Sequence, residues 1–288
     1  MKIKISALLV TILASSLLHS SNITGGLKQD LVGSNHDYEQ GPLFVFVVPS
    51  YNNENYYQKN LYSMFYQTYP FFHVIYIDDC SPDDTAQLVE NYIKDFELQD
   101  RITLIKNQKN VGALANIYKA VHMCDPRVVI VGLDGDDWLD NENVLALLAE
   151  KYSNPDVWIT WGQYRCYPSH YKGHCAPVPK HIIDTNNFRD YNYVTSALRT
   201  FYAGLFHKIK KEDLLYEGKF FPMAWDLSIM FPMLEMAGHH STFIPNILYV
   251  YNIETPLNDF KVNNRQTQIY YDMMIRKQKK YQRISSPF

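Results

Sequence analysis

Three aspartates lie within four consecutive residues near the middle of the chain, directly after an apolar run. Asp134, Asp136 and Asp137 surround Gly135 and follow residues 128–133. Carboxylates separated by one residue can converge on one hard cation, and Mg²⁺ and Mn²⁺ both prefer oxygen ligands and retain open positions for phosphate oxygens. Glycine permits a tight turn. The segment therefore predicts a Mn²⁺ or Mg²⁺ site with a phosphate-bearing ligand, and the alternative is a solvated acidic turn before the next helix.

Other polar clusters also follow apolar runs. Residues 49–53 (Pro-Ser-Tyr-Asn-Asn) come after the first run, and residues 78–81 (Asp-Asp-Cys-Ser) come after the second. Asn110 and Gly112 open a helical segment, where free N–H groups suit an anionic ligand or an ordinary helix cap. Because ligands of parallel α/β sheets bind at the carboxyl ends of the strands, these clusters are predicted to share one site with the acidic turn.

The elements that must position these residues follow a regular alternation in the first half. Short apolar runs alternate with segments of helical spacing, which is the pattern of a parallel α/β sheet. Predicted strands cover residues 43–48, 74–77, 102–105 and 128–131. Predicted helices cover 55–69, 88–96 (with Ser81 or Asp83 as the cap before it) and 111–121. The second half is less regular: we predict strands at 157–161 and 244–251, a long loop at 164–187, and helices at 193–206, 226–237 and 266–281.

Four of these segments, in order and spacing, resemble family 2 glycosyltransferases with a GT-A fold. They are Val-Val-Pro-Ser-Tyr-Asn at 47–52, Ile-Asp-Asp-Cys-Ser-Pro-Asp at 77–83, Asn-Val-Gly-Ala at 110–113 with Asn116, and Leu-Asp-Gly-Asp-Asp-Trp at 133–138. The resemblance implies a single Rossmann-like domain, with a mostly parallel sheet flanked by helices. It also implies an inverting, metal-dependent transfer of a sugar from a nucleotide-diphospho-sugar, usually a UDP-sugar, to an acceptor hydroxyl.

The resemblance also assigns residues of this chain to roles. It implies base and ribose contacts for Pro49, Tyr51 and Asp79, with Asn110 near the base. The acidic turn would bind ribose and the metal-diphosphate. The implied nucleotide-sugar ligands are thus Pro49, Tyr51, Asp79, Asn110, Asp134 and Asp136, and the implied metal ligands are Asp136 and Asp137.

A catalytic base is expected at the start of a later helix, often within an acidic pair. Here Trp225 stands in place of one acid, so Asp226 is the candidate base, with helix capping as its alternative. Trp225 and Arg199 are candidates for the acceptor side, although a surface or ion-paired arginine is the favoured interpretation of Arg199. Lys261 is a candidate diphosphate ligand, with a solvated basic tail as the alternative. The family's Tyr-Arg-x-His pattern is replaced by Tyr-Asn-Ile-Glu at 251–254, so a contact from that His is not expected.

Rival enzyme classes lack their signatures in this sequence. No Gly-rich basic loop follows the first strand, as a nucleotidyltransferase would need, and neither G-x-G-x-x-G nor G-x-S-x-G is present there. A net charge of −3 gives no basic field for nucleic acid. The expected partners are a nucleotide-sugar and a glycan, protein or lipid acceptor, and the non-enzymatic alternative is a nucleotide- or carbohydrate-binding pseudoenzyme.

The N-terminus predicts a targeting segment. Lys2 and Lys4 precede an apolar run at residues 5–18, too short for an ordinary membrane span. The predicted organisation is a signal peptide or membrane anchor at 1–20, a linker at 21–41, a catalytic domain at 42–255 (nucleotide-sugar half 42–140, acceptor half 141–255) and a C-terminal tail or helix at 256–288. The expected location is the membrane or the secretory pathway, or the cytoplasm if the N-terminal segment is not functional. In an oxidising compartment Cys166 and Cys175 could pair, and zinc binding with the nearby histidines is a weaker alternative.

Overall fold

The computed structural model describes residues 31–255 and 265–288, which belong to one compact unit. The predicted targeting segment at 1–20 and the candidate diphosphate ligand Lys261 lie outside the described residues. Within the described ranges, no helix has both the length and the apolar character needed to cross a membrane.

An eight-stranded mixed sheet forms the centre of the molecule, with strands in the order β3-β2-β1-β4-β7-β6-β10-β5. Its strands are β1 (Phe44–Ser50), β2 (Phe72–Asp78), β3 (Ile102–Lys106), β4 (Val129–Gly132), β5 (Trp138–Leu139), β6 (Ile159–Tyr167), β7 (Arg199–Tyr202) and β10 (Ser241–Asn252). A separate hairpin joins β8 (Leu215–Tyr216) and β9 (Lys219–Phe220). Strands β1 to β4 are mutually parallel, as are β6 and β10, whereas β7 and β5 run antiparallel to their neighbours.

Helices cover the sheet on both faces. They are α1 (Tyr57–Phe65), α2 (Thr85–Asp95), α3 (Ala113–Val121), α4 (Val144–Tyr152), α5 (Lys180–Asp184), α6 (Ala203–His207), α7 (Trp225–Ala237) and α8 (Arg265–Arg276). All seven residues of β1 are buried. Along β1, Val45 and Val47 pack into one hydrophobic cluster, whereas Phe44, Phe46 and Val48 pack into the other. Strands buried on both faces read as continuous apolar runs, which is why the first half of the chain was predictable.

The sheet reverses its order around β1. Strand β2 lies on one side of β1 and β4 on the other, so the chain crosses from one half of the sheet to the other at this point. The carboxyl ends of β1 and β4 therefore border a crevice of the kind in which α/β proteins bind ligands. The polar segments predicted to share one site all leave the sheet at this edge or beside it.

The helix predicted at 193–206 is wrong. Residues Arg199–Tyr202 form β7, which pairs with β4 on one side and with β6 on the other, and only Ala203–His207 are helical. Pairing in the sheet was a stronger determinant than the helical spacing of this segment, because β7 completes the backbone hydrogen bonding of both β4 and β6. The predicted loop at 164–187 is also shorter than expected, because β6 continues to Tyr167 and α5 follows.

The C-terminal segment packs on the domain through a buried ion pair. Arg189 Nε lies 2.6 Å from Glu235 Oε1, and both side chains are almost fully buried. Arg189 also donates to the carbonyl of Ile275, and the amide of Tyr281 donates to Glu235. The helix predicted at 266–281 ends earlier, at Arg276. It is less exposed than expected, because Ile275 is buried.

Cys166 and Cys175 are not bonded to each other. Cys175 is buried, and its thiol donates to the carbonyl of Ala197. Burial raises the pKa of Cys175 to about 11, so it is a poor thiolate and a poor metal ligand at neutral pH. The disulfide considered from the sequence is absent from the structure.

Candidate active site

The acidic turn follows β4 and is held against the end of β1. The amide of Gly135 donates to the carbonyl of Pro49, and the amide of Asp137 donates back to Asp134 within the turn. A side chain at Gly135 would lie 2.7 Å from both Asn53 Nδ2 and Ser50 Oγ. Glycine is therefore needed here because the turn approaches β1 closely.

Asp137 is almost fully buried, and its carboxylate is occupied by protein donors. The hydroxyl of Tyr249 donates to Oδ2 at 2.5 Å, and the amide of Asn252 donates to Oδ1 at 2.7 Å. Burial, and then the charges of Asp136 and Asp134, raise the pKa of Asp137 well above its usual range. The direct metal-ligand role predicted for Asp137 does not fit this geometry, because both of its carboxylate oxygens already accept hydrogen bonds from protein donors.

The backbone of the turn has its own support from α1 and β10. The buried amide nitrogen of Asn60 donates to the carbonyls of Asp134 (3.0 Å) and Asp137 (2.7 Å). The side chain of Asn252 donates to the carbonyl of Asp136. The residues that stand where the family has Tyr-Arg-x-His thus hold the acidic turn in place.

Asp79, at the end of β2, organises the segment that leads into α3. Its carboxylate accepts from Asn107 Nδ2 at 2.8 Å and from the amides of Val111 and Gly112. Gly112 has φ +88°, in the left-handed region that favours glycine, and it is the residue directly before α3. The side chain of Asp79 is buried and borders the cavity described below, and its predicted base or ribose contact stays a prediction.

A cavity of about 870 Å³ opens at this edge of the sheet. Its volume falls within the range of small-molecule sites, roughly 300–1,000 Å³. It brings together ten of the predicted site residues: Pro49, Tyr51, Asp79, Asn110, Asp134, Asp136, Asp137, Arg199, Trp225 and Asp226. Tyr51 is 40% exposed there, so its ring is available to a ligand.

The wall opposite the nucleotide-side residues comes from α7 and β7. Asp226 lies in the first turn of α7, whose preceding residue Ala224 has φ +52°, and no side chain of the described residues caps this helix end. Arg199 is only 5% exposed and lies between two carboxylates, 3.7 Å from Asp134 and 3.8 Å from Asp226. The helix-capping alternative for Asp226 is therefore not supported, and Arg199 lies deeper than an acceptor-contacting arginine would.

The carboxylates that face the cavity fit a divalent cation of the kind that binds with its substrate. Asp134 and Asp136 are both half-buried and line the cavity. Within residues 31–255 and 265–288, no group of three or more Asp, Glu, His or Cys side chains is arranged to hold a metal. Mg²⁺ and Mn²⁺ are commonly bound through one or two carboxylates together with substrate phosphates, so a site with few protein ligands suits them. Asp136 is the candidate ligand.

Several residues of the site carried no usable signal in the sequence. Tyr249 and Asn60 read as ordinary residues of a strand and a helix, although both hold the acidic turn. Asn116 lies on α3 and borders the cavity, and its Nδ2 atom is buried without a hydrogen-bond partner among the described residues. Such an atom is a donor available to a ligand.

Comparison with known proteins identifies the family. The model of glycosyl transferase family 2 matches residues 45–210, which is more than half of the chain. The protein therefore belongs to glycosyl transferase family 2. This chain is 33% identical over 96 residues to TuaG of Bacillus subtilis (strain 168), named as a putative teichuronic acid biosynthesis glycosyltransferase. It is 33% identical over 103 residues to the poly(ribitol-phosphate) beta-N-acetylglucosaminyltransferase TarS of Staphylococcus aureus (strain Mu50). The matches cover 33% and 35% of this chain but only 36% and 17% of those proteins.

Solved structures of low sequence identity share the fold. TarS 1–349 of S. aureus in complex with UDP-GlcNAc superposes with a TM-score of 0.59 at 18% identity, covering 81% of this chain and 65% of that one. The mannosyltransferase PcManGT of Pyrobaculum calidifontis, in complex with GDP-Man and Mn²⁺, gives 0.53 at 16% identity, covering 84% and 66%. The fold is the GT-A fold expected from the sequence, a mixed α/β domain with a central sheet flanked by helices.

Proposed function

We propose that this protein transfers a sugar from a UDP-sugar to an acceptor hydroxyl, with inversion at the anomeric carbon and with a divalent metal. The observation that carries the proposal is the cavity at the sheet edge, which is lined by Asp134 and Asp136 on one wall and by Asp226 on the other. Family membership supports sugar transfer, and the nucleotide-sugars bound by TarS and PcManGT support the donor class.

The proposed nucleotide subsite lies between the ends of β1 and β2 and the start of α3. Tyr51 offers an exposed ring for stacking, and the orphan Nδ2 donor of Asn116 suits a carbonyl oxygen of the base. The carboxylate of Asp79, which accepts from Asn107, Val111 and Gly112, borders the same subsite. A free donor for a base carbonyl suits uracil and guanine alike, and the UDP-GlcNAc bound by TarS is the reason that we favour UDP as the nucleotide.

The proposed reaction is a single displacement. Asp226 takes the proton from the acceptor hydroxyl, whose oxygen then attacks the anomeric carbon from the face opposite the diphosphate. Asp136 would hold the metal and Asp134 would contact the donor, while the buried carboxylate of Asp137 keeps the turn in shape. A divalent cation held there would supply positive charge against the departing diphosphate. Trp225 lies beside the proposed catalytic base, Asp226, and offers an apolar face to the sugar or the acceptor.

Two measurements test this proposal separately. Calorimetric titration of UDP, GDP and CDP with Mn²⁺ should give tightest binding for UDP, and Asp136→Asn should weaken it. Release of UDP from a panel of UDP-sugars should occur with Mn²⁺ and stop with EDTA. Binding of UDP without turnover of any donor would favour a pseudoenzyme, and full activity in EDTA would rule out the metal-dependent mechanism.

A further inference from the structure

Arg199 occupies a central place between the two walls of the cavity. It is the first residue of β7, where it pairs with Gly132 at the end of β4 and with Trp161 of β6. Its guanidinium faces Asp134 on the donor side and Asp226 on the base side, and the side chain is 6% exposed. One buried cation thus lies between one carboxylate from each wall.

The two distances, 3.7 Å and 3.8 Å, are longer than a charge-assisted hydrogen bond, which spans about 2.7–2.9 Å. At this separation the attraction between charges persists, but the guanidinium does not occupy the lone pairs of either carboxylate. Burial acts to lower the pKa of Arg199, but the charges of Asp134 and Asp226 more than offset it, so the pKa lies above its usual value and the cation persists.

The guanidinium is also held from the side. Its central carbon lies 5.0 Å from the ring centroid of Trp225, within the range of a cation–π contact. Tyr193 approaches from the segment before β7, and its buried hydroxyl lies near the carboxylate of Asp226. Burial, and then the charge of Asp226, raise the pKa of Tyr193, so it stays a neutral neighbour of the base. A planar fork packed in this way has few alternative positions.

We infer that Arg199 is a positioning residue that couples the donor-binding turn to the catalytic base, by holding Asp134 and Asp226 at a fixed separation across the reaction centre. This inference rests on the proposed function for its catalytic consequence, and it assigns a role to the ion-paired arginine that the sequence analysis favoured over an acceptor contact. The separation of the two carboxylates sets where the anomeric carbon lies relative to the base. Loss of the guanidinium should therefore lower turnover more than it lowers donor affinity.

A double-mutant cycle tests the pairing without any substrate. Asp134→Asn and Asp226→Asn are measured singly and together by thermal unfolding, first with Arg199 present and then in the Arg199→Gln background. Each single variant leaves one charge partner, but the double variant leaves a buried guanidinium unpaired, which is strongly destabilising. With Arg199 present, we expect the fall in Tm of the double variant to exceed the sum of the two single effects. In the Arg199→Gln background, we expect the two effects to be additive. Additivity in both series would overturn the inference.

Kinetics of donor hydrolysis without acceptor test the catalytic role. A positioning role predicts that Arg199→Gln and Arg199→Lys lower kcat for hydrolysis about tenfold or more, while KM for the donor changes less than about threefold. Lysine keeps the charge but, as a single point donor, does not span two carboxylates. An acceptor-contact role predicts unchanged hydrolysis with a raised KM for the acceptor, which would overturn the inference. Hydrolysis that falls only in proportion to the unfolded fraction would also overturn it.

Arg165→Gln is the matched control. Arg165 lies on the neighbouring strand β6 and pairs with Asp140 at 2.6 Å. It does not line the cavity. Its loss should leave hydrolysis unchanged. A wild-type protein that binds UDP but hydrolyses no donor would refute the proposed function, whereas the unfolding cycle would still decide whether Arg199 couples the two carboxylates.

Discussion

Removal of one hydroxyl behind the acidic turn should weaken both the fold and the metal site. The hydroxyl of Tyr249 donates to Asp137 Oδ2 at 2.5 Å and lies 3.3 Å from Asp134 Oδ2, and Tyr249 is 1% exposed. A buried acceptor left without its hydrogen-bond donor costs about 1–3 kcal/mol. We expect Tyr249→Phe to lower the free energy of unfolding by about 1–3 kcal/mol.

The same substitution should loosen the turn that carries Asp136. Loss of groups that orient metal ligands from outside commonly costs about 10–100-fold in metal affinity. Urea unfolding would measure the first effect, and titration of Mn²⁺ in the presence of UDP would measure the second. Tyr249→Phe should weaken Mn²⁺ binding about tenfold or more.

Tyr152→Phe is the matched control for this prediction. Tyr152 is also a buried tyrosine, and its hydroxyl bonds to Thr200 Oγ1 at 2.9 Å, on an uncharged partner away from the cavity. Its loss should cost about 1 kcal/mol, as for a neutral hydrogen bond, with no change in Mn²⁺ affinity. Equal effects of the two substitutions on Mn²⁺ binding would refute the view that Tyr249 supports the metal site.

Further outcomes follow from the same structure. Asp136→Asn should abolish the stabilisation of the protein by Mn²⁺ with UDP in thermal-shift assays, and unchanged stabilisation would exclude Asp136 as the ligand. Asn116→Ala should weaken UDP binding by about 2- to 10-fold, the cost of one neutral hydrogen bond, whereas exposed Asn141→Ala should not. Burial lowers the pKa of His207 in the folded protein. The neutral imidazole therefore contributes its full stability above the unfolded-state pKa of about 6.5, and this contribution is lost as the pH falls through the lower folded-state pKa. His207→Gln should therefore reduce the loss of unfolding free energy between about pH 7.5 and 5.5, and an identical pH dependence in both proteins would contradict this.

The first half of the fold was predictable because its strands are buried on both faces. Strands such as β1 and β4 appear in the sequence as unbroken aliphatic and aromatic runs, and turns with Pro, Asp or Gly end each one. The acidic turn was also predictable, because the residues that carry its chemistry are four consecutive positions in the sequence. Local sequence was sufficient wherever the determining contacts were local.

The second half was less predictable because its burial depends on distant partners. Strand β7 contains Arg199 and Thr200, which are buried through contacts with Asp134, Asp226 and Tyr152 rather than through hydrophobicity. The spacing of apolar residues contains no information about such contacts. A prediction from helical spacing alone therefore gives a helix where the structure has a strand.

The supporting residues of the site were missed for a similar reason. Tyr249 and Asp137 are 112 positions apart, and Asn60 is 77 positions from Asp137. The sequence could identify Asp137 as one acid of a metal turn, but only the structure shows that its carboxylate is buried and bonded to Tyr249 and Asn252, whereas Asp134 and Asp136 are half-buried. The direction in which adjacent carboxylates point is decided by partners that the local sequence does not contain.

The most direct test of the account is the rate of UDP release from UDP-sugars with Mn²⁺, compared between the wild-type protein and Asp226→Asn. The account predicts release by the wild type from at least one donor, and a loss of about two to four powers of ten in Asp226→Asn with UDP affinity nearly unchanged. Equal rates in the two proteins would contradict the assignment of Asp226 as the base that acts opposite the Asp134–Asp137 turn.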